Sequence, residues 1–231
     1  MSRAAYRVGR VVVVPLSRAL WRPAIVGTGN VPRTGGVLLA SNHLSFIDSF
    51  AIPIASPRAV SFLAKSDYFT GTGIGSAVRR GFFEAFDAIP VDRTSSRAAQ
   101  ESLDAALEVL RAGRAFGIYP EGTRSRDGRL YRGHTGVAWL ALTAGVPIVP
   151  VGLTGTENVQ PIGARLPRLA KVRVAFGAPI SPDRYAGLPA AKARRLLTDE
   201  VMDAVAGLTG QEQAGVYNEL PPSSSGPSVG S

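Results

Sequence analysis

The chain of 231 residues contains no cysteine. Disulfide staples, thiolate nucleophiles and thiolate-bound metals are therefore excluded at the outset, and the absence suits a reducing compartment. Histidine is nearly as scarce, with His43 and His134 alone; without cysteine, two imidazoles do not make a structural zinc site. Acidic side chains are few: 17 Asp and Glu stand against 26 Lys and Arg, a formal charge of +9. Long apolar runs are missing too. No stretch reaches the roughly 18 residues that a membrane span needs. The nearest, Val11-Val12-Val13-Val14-Pro15-Leu16, is bracketed by Arg10 and Arg18. No small-x-small cleavage site follows it, which argues against a signal peptide.

What is present is mostly arginine. Every basic residue except Lys65, Lys171 and Lys192 is Arg, a balance that favours anionic partners such as phosphate groups, an acidic membrane surface or nucleic acid. On a helical wheel Arg3, Arg7, Arg10, Arg18 and Arg22 share one side, while Tyr6, Val8, Val12, Val13, Leu16 and Leu20 take the other. The pattern predicts an N-terminal amphipathic helix suited to a membrane interface, kinked or split at Pro15.

Beyond it, apolar runs alternate with helical patterns. Strands are expected at Val37–Ala40, Ala59–Ala64, Ala88–Val91, Ala115–Tyr119, Ile148–Gly152 and Val172–Phe176. Helices are expected at Ile47–Ala55, Gly75–Phe86, Ser95–Ala112, Thr135–Ala144 and Ala190–Leu208. The clearest is Ser95–Ala112, where Leu103, Leu107 and Leu110 repeat at helical spacing and Gly113 stops the run. Such alternation predicts one α/β domain, a central, largely parallel or mixed sheet flanked by helices. The expected organisation is an N-terminal helix and linker over 1–30, the domain over 31–209 and a disordered Pro- and Ser-rich tail over 210–231.

The chemistry clusters at strand ends. After Val37-Leu38-Leu39-Ala40 come Ser41-Asn42-His43-Leu44-Ser45-Phe46-Ile47-Asp48. A histidine with a carboxylate five positions on is the raw material of a general base and its orienter. On one regular helix that spacing sets side chains roughly 140° apart. The pair can therefore meet only if His43 lies in a turn and Asp48 opens the next helix. A plain strand-to-helix loop, with Asp48 favoured by the helix dipole, fits the same residues.

A second cluster, Ile89-Pro90-Val91-Asp92-Arg93, ends a strand in a carboxylate and a guanidinium able to hold phosphate. In a third, Tyr119-Pro120-Glu121-Gly122-Thr123-Arg124-Ser125, Gly122 lets the backbone approach a ligand, and hydroxyl and guanidinium donors follow. The third cluster is not a Walker A loop, and Gly71-Thr72-Gly73-Ile74-Gly75 is not a dinucleotide fingerprint.

Read together, these clusters resemble the lysophosphatidate acyltransferase family (1-acylglycerol-3-phosphate O-acyltransferases) of the glycerolipid acyltransferases. The His-x4-Asp block matches His43 and Asp48, and the strand ending in Asp-Arg matches Asp92 and Arg93. Pro-Glu-Gly-Thr-Arg-Ser matches Pro120 to Ser125, and Val-Pro-Ile-Val-Pro-Val matches Val146 to Val151. The similarity spans Val31 to Pro179. It departs at His134-Thr135, where the family often has a basic pair, and at Pro90-Val91, where Phe-Ile is frequent; both bear on the acceptor head group.

The resemblance implies transfer of a fatty acyl group from an acyl-CoA or acyl-carrier-protein thioester to a hydroxyl of lysophosphatidate, giving phosphatidate. His43 would take the hydroxyl proton and Asp48 would fix its tautomer, with direct attack, no acyl-enzyme, no metal and no cofactor. Arg93 and Arg124, with Thr123 and Lys65, would bind the acceptor phosphate beside Gly122. Glu121 would contact the glycerol portion or orient the basic groups, and backbone N–H groups near the fourth block would serve the oxyanion.

The implied partners are a lysophospholipid, an acyl thioester and a membrane surface, met peripherally from its cytoplasmic face, with no nucleic acid. Glycerol-3-phosphate, another lysophospholipid or a glycolipid would suit the same blocks. An inactive basic module for membranes or nucleic acid is the remaining alternative. Against it, His43, Asp48, Glu121 and Arg124 are intact, and no aromatic-interleaved basic stretch suggests base stacking.

Overall fold

A computed structural model describes residues 11, 14–66, 69–73, 75, 76, 80, 81, 83, 87–91, 98–161, 164 and 166–218. The described strands are β1 (Ala24–Val26), β2 (Val37–Ser41), β3 (Val60–Ser61), β4 (Leu63–Lys65), β5 (Ile89–Val91), β6 (Ala115–Ile118), β7 (Ile148–Thr154) and β8 (Arg173–Phe176). The helices are α1 (Val14–Trp21), α2 (Asp48–Ala55), α3 (Ala98–Arg111), α4 (Gly136–Ala144), α5 (Thr156–Val159) and α6 (Ala190–Thr209).

Six strands form one sheet in the order β1-β8-β7-β2-β6-β3, and β4 and β5 pair separately. All pairings are parallel except β7 with β8. The sheet is thus largely parallel and mixed, as the alternation predicts. β2 lies at its centre with every residue buried, which is why it reads as a continuous apolar run rather than an alternating one.

Successive side chains on β2 go to opposite faces. Val37 and Leu39 join Ile52, Ala55, Val149 and Val151 on the α2 side. Leu38 and Ala40 join Leu107, Leu110, Leu140 and Leu197 under α3, α4 and α6. These are the two apolar layers of a three-layer α/β domain.

The structure departs from the expected elements in four places. The run Ala59–Ala64 is two strands, β3 in the large sheet and β4 in the small one. Phe62 stands between them, its ring lying so close to β6 that a Cβ on Gly117 would come 2.0 Å from it. β1 falls within residues 1–30, assigned above to helix and linker, yet it pairs with β8 as part of the sheet; three residues are too few to show a period.

Of the N-terminal helix, α1 is described, whereas residues 1–10 and 12–13 lie outside the described residues. Arg18, expected on a side facing head groups, turns inward: its guanidinium donates to the carbonyls of Ile54 and Ala55 at the end of α2. Leu16 and Leu20 remain exposed.

Finally, residues 211–218, assigned above to a tail, are bonded to the domain. Leu130 N donates to Glu212 O, Ala214 N to Leu130 O and Arg132 N to Val216 O, each at 2.8 Å. Residues 219–231 lie outside the described residues, as does most of the helix expected at Gly75–Phe86.

Candidate active site

Parallel register brings the chemistry to one edge. Ala40 of β2 pairs with Ile118 of β6 and with Pro150 of β7, so the residues leaving β2 and β6 emerge side by side. That carboxyl edge is where open parallel sheets bind ligands.

His43 and Asp48 meet there, through a turn rather than along a helix. His43 Nδ1 lies 2.8 Å from Asp48 Oδ2. The same oxygen accepts Leu44 N at 2.7 Å and Ser45 N at 2.8 Å, and Asp48 is wholly buried at the first turn of α2. The two backbone donors fix the carboxylate, and the carboxylate fixes the imidazole. With the proton held at Nδ1, Nε2 carries the lone pair and can act as a base.

The third block is bonded to the same peptide at both ends. His43 N donates to Glu121 Oε1 at 2.9 Å, and Ser125 N donates to His43 O at 2.8 Å. The other oxygen of Glu121 accepts Tyr131 N at 2.9 Å. Glu121, expected as a contact to the glycerol portion or an orienter of the basic groups, is fully buried, and its two bonds hold the His43 turn against the 131 loop. Burial pushes its carboxyl up to about 7, and the two backbone donors pull the other way.

The remaining predicted residues divide. Gly122 adopts a φ of +76°, and a Cβ there would come 3.2 Å from the His134 ring, so the turn needs glycine. Gly122 and Arg124 line a cavity together with His43. Thr123 is half-buried and is not among the lining residues. Lys65 sits on β4 opposite Val91, but its side chain, like Asp92 and Arg93 as a whole, lies outside the described residues.

The fourth block leads into β7, which pairs with β2 on one side and β8 on the other, and within it Val146 N is given to Ala141 O and Ile148 N to Ile180 O. Among the described residues, no group of three or more metal-ligating side chains converges.

The cavity has a volume of about 600 Å³. It extends from exposed Arg124 and half-buried His43 to fully buried Phe116 and Leu140, past Phe46, Phe50, Phe62 and Phe83. An apolar ligand segment can occupy it while a basic nitrogen and a guanidinium wait at one end. That is an arrangement for deprotonating a hydroxyl held through a nearby anion, beside an apolar reactant.

Four residues at this site carry no motif-level signal of their role. Asn42 clamps β7, donating to Leu153 O at 2.9 Å and accepting Leu153 N at 2.8 Å. Gln211 accepts from Asn42 at 2.8 Å, and Asn218 donates to Arg124 O at 3.2 Å. Tyr119 stacks on His43 with ring centroids 3.9 Å apart. Asn42 and Tyr119 were at least adjacent to matched blocks; Gln211 and Asn218 act across long sequence separations with no pattern to betray them.

Residues 22–154 match the family described as Acyltransferase. The 1-acyl-sn-glycerol-3-phosphate acyltransferase BAT2, chloroplastic, of Brassica napus is 30% identical over 145 residues, covering 62% of this chain and 40% of that protein. The 1-acyl-sn-glycerol-3-phosphate acyltransferase of Bacillus subtilis (strain 168) is 27% identical over 172 residues, covering 74% and 79% respectively. The match to the plant relative thus spans less than half of its length. Among solved structures, the 1-acyl-sn-glycerophosphate (LPA) acyltransferase PlsC from Thermotoga maritima superposes with a TM-score of 0.62 at 22% identity, covering 89% of this chain and 78% of that one. The shared fold is the content of that last likeness.

Proposed function

The chain belongs to the Acyltransferase family, and from that premise we propose that it moves a fatty acyl group from a thioester to a hydroxyl of lysophosphatidate, giving phosphatidate. The observation that carries the reading is one geometry: a histidine whose Nδ1 is pinned to a buried carboxylate at 2.8 Å, lining a largely apolar cavity with Arg124. Relatives named for this acceptor support the choice of lysophosphatidate.

In the proposed step the acceptor hydroxyl oxygen bonds to the thioester carbonyl carbon as His43 Nε2 takes its proton. The tetrahedral intermediate collapses, the carbon–sulfur bond breaks, and the proton passes to the departing thiolate. Asp48 stabilises the imidazolium between these events. Ester and thiol are the products, so atoms and charge balance without an acyl-enzyme, a metal or any cofactor besides the donor. Arg124 holds the acceptor phosphate by charge-assisted hydrogen bonds, with Arg93 and Lys65 as its proposed partners. The acyl chain occupies the aromatic-lined cavity.

Acceptor and product are amphiphiles, which calls for access from a bilayer surface, proposed as the cytoplasmic face. Among the described residues no helix is long and apolar enough to cross a membrane. Peripheral docking is supported by α1, which buries no residue, and by a neighbouring loop in which Leu166 and Leu169 are 78% and 71% exposed. The two are joined where Trp21 Nε1 donates to Arg168 O at 3.1 Å, and exposed Arg22, Arg168 and Lys171 suit anionic head groups.

The test is an acceptor panel with labelled acyl-CoA and acyl-carrier-protein donors. Formation of labelled phosphatidate from lysophosphatidate, in preference to transfer to glycerol-3-phosphate or other lysophospholipids, is the expected result. Transfer confined to another acceptor would overturn the assignment of lysophosphatidate while keeping the chemistry.

A further inference from the structure

Asp48 secures a single atom of the His43 ring. One hydrogen bond at Nδ1 leaves the imidazole free to swing about that contact, and such a swing would carry Nε2 away from a reacting hydroxyl. Something must therefore set the plane of the ring, and Tyr119 is placed to do so. It follows β6 directly, and its ring lies 3.9 Å from that of His43, centroid to centroid, at an interplanar angle of 9°.

Tyr119 is in turn held. Its hydroxyl is 3.0 Å from Ser49 Oγ, and Ser49 is the residue after Asp48 on α2. A third ring, that of Phe62, lies 5.6 Å away at 26°, in the position left open by the missing Cβ of Gly117. One helix start thus fixes the imidazole through Asp48 and, through Ser49, the ring stacked upon it. The tyrosine face also favours an imidazolium over neutral imidazole by cation–π attraction, in the direction that proton uptake requires.

We propose that Tyr119, held by Ser49, is a positioning residue for His43 in the transfer step: it sets the imidazole plane so that Nε2 meets the acceptor hydroxyl. The proposal rests on the acyl-transfer reading above; Tyr119 and Ser49 also line the cavity, and the role assigned to Tyr119 is exerted through the His43 ring. Its role differs from that of a plain cavity wall, which would act through substrate affinity.

Two kinds of measurement test it. With two histidines in the chain, the imidazole ring protons can be assigned by NMR using a His43→Gln variant. In wild type the His43 ring protons should show the ring-current displacement of a stacked partner, kept in Tyr119→Phe and lost in Tyr119→Leu. In steady-state kinetics on detergent-dispersed acceptor, Tyr119→Leu should lower kcat by about 100-fold, the scale of a 1 Å misplacement, with both KM values near wild type. Tyr119→Phe and Ser49→Ala should each lose less than about 10-fold, the worth of one hydrogen bond. The double variant should lose no more than either, because both delete the same bond.

A Tyr119→Leu enzyme with kcat within about 10-fold of wild type, or a loss confined to KM, overturns the positioning role. If Tyr119→Leu does not fold, the Ser49→Ala and Tyr119→Phe cycle decides, additive losses being the contrary result. Wild-type protein that transfers no acyl group overturns the acyl-transfer reading itself and the role that depends on it. A displaced NMR signal without a kinetic effect overturns the positioning role alone.

Discussion

Around His43 almost every polar group is engaged: its N–H on Glu121, its carbonyl on Ser125, its Nδ1 on Asp48, its ring face on Tyr119. The face made by α1 and residues 166–170 is different: α1 buries nothing, and Leu16, Leu20, Leu166 and Leu169 stand exposed. The first region is built to admit one geometry. The second offers apolar area and positive charge without a fixed partner shape. General-base chemistry needs the former, since reacting atoms must be held to within fractions of an ångström. Adhesion to a fluid surface needs only the latter. Substitutions should therefore act steeply and locally in one region, weakly and additively in the other.

The largest expected effect breaks the rigid side. Asp48→Asn leaves the turn two backbone donors and an amide that can present the wrong group to Nδ1. We expect kcat to fall by about 10²–10⁴-fold, as for loss of a general base, measured on acceptor in detergent. Retention of most of the activity would mean that the carboxylate serves the fold rather than the imidazole.

Next comes Glu121. Glu121→Ala leaves the part-buried N–H groups of His43 and Tyr131 without their acceptor and should cost on the order of 3 kcal/mol in chemical denaturation. Its pH dependence has a definite sign. Because burial raises the folded-state carboxyl from 4.5 to about 7, the unfolded chain ionises first as pH rises. The stability contributed at Glu121 is full below about 4.5, declines across the interval to about 7 and stays lost above it, by at most about 3 kcal/mol. Glu121→Gln should flatten that decline; an unchanged slope would assign it to other groups.

Smaller again is Arg124→Ala, expected to raise the acceptor KM about 10- to 100-fold, the worth of a charge-assisted contact, with the donor KM little changed. Equal effects on both substrates would move the phosphate site elsewhere. Smallest on the fold is the pair Leu166→Asp and Leu169→Asp, expected to shift stability by less than about 0.5 kcal/mol. Cosedimentation with anionic vesicles should nonetheless weaken, and more so with added salt, while turnover in detergent persists. If these variants unfold the protein, the two regions do not differ in the way described.

Legibility in the sequence followed the same division. β2, α3 and α6 announce themselves through long apolar runs or helical periods, and the His43–Asp48 pairing was one of two readings that the strand end left open. Glu121 was visible as a carboxylate but its bonds to two backbone amides were not, because nothing beside Gly122 and Arg124 tells which N–H groups such a side chain meets. β1 is three residues long, too short for any period. The clamp from 211–218 is made of backbone bonds to Leu130 and Arg132 and of single amides, Gln211 and Asn218, reaching Asn42 and the carbonyl of Arg124 across the fold. Contacts of that kind leave no trace in local composition. Nor does the direction of Arg18, since a wheel gives the face of a helix but not what the face meets.

The role of His43 as the base is tested most directly by the turnover of His43→Ala with acyl-CoA and lysophosphatidate dispersed in detergent, beside a thermal-unfolding control. A fall of at least about 100-fold in kcat with unchanged melting is the predicted outcome. A folded His43→Ala protein keeping more than about a tenth of wild-type turnover, above the range for losing a general base, would contradict the assignment of His43 as that base.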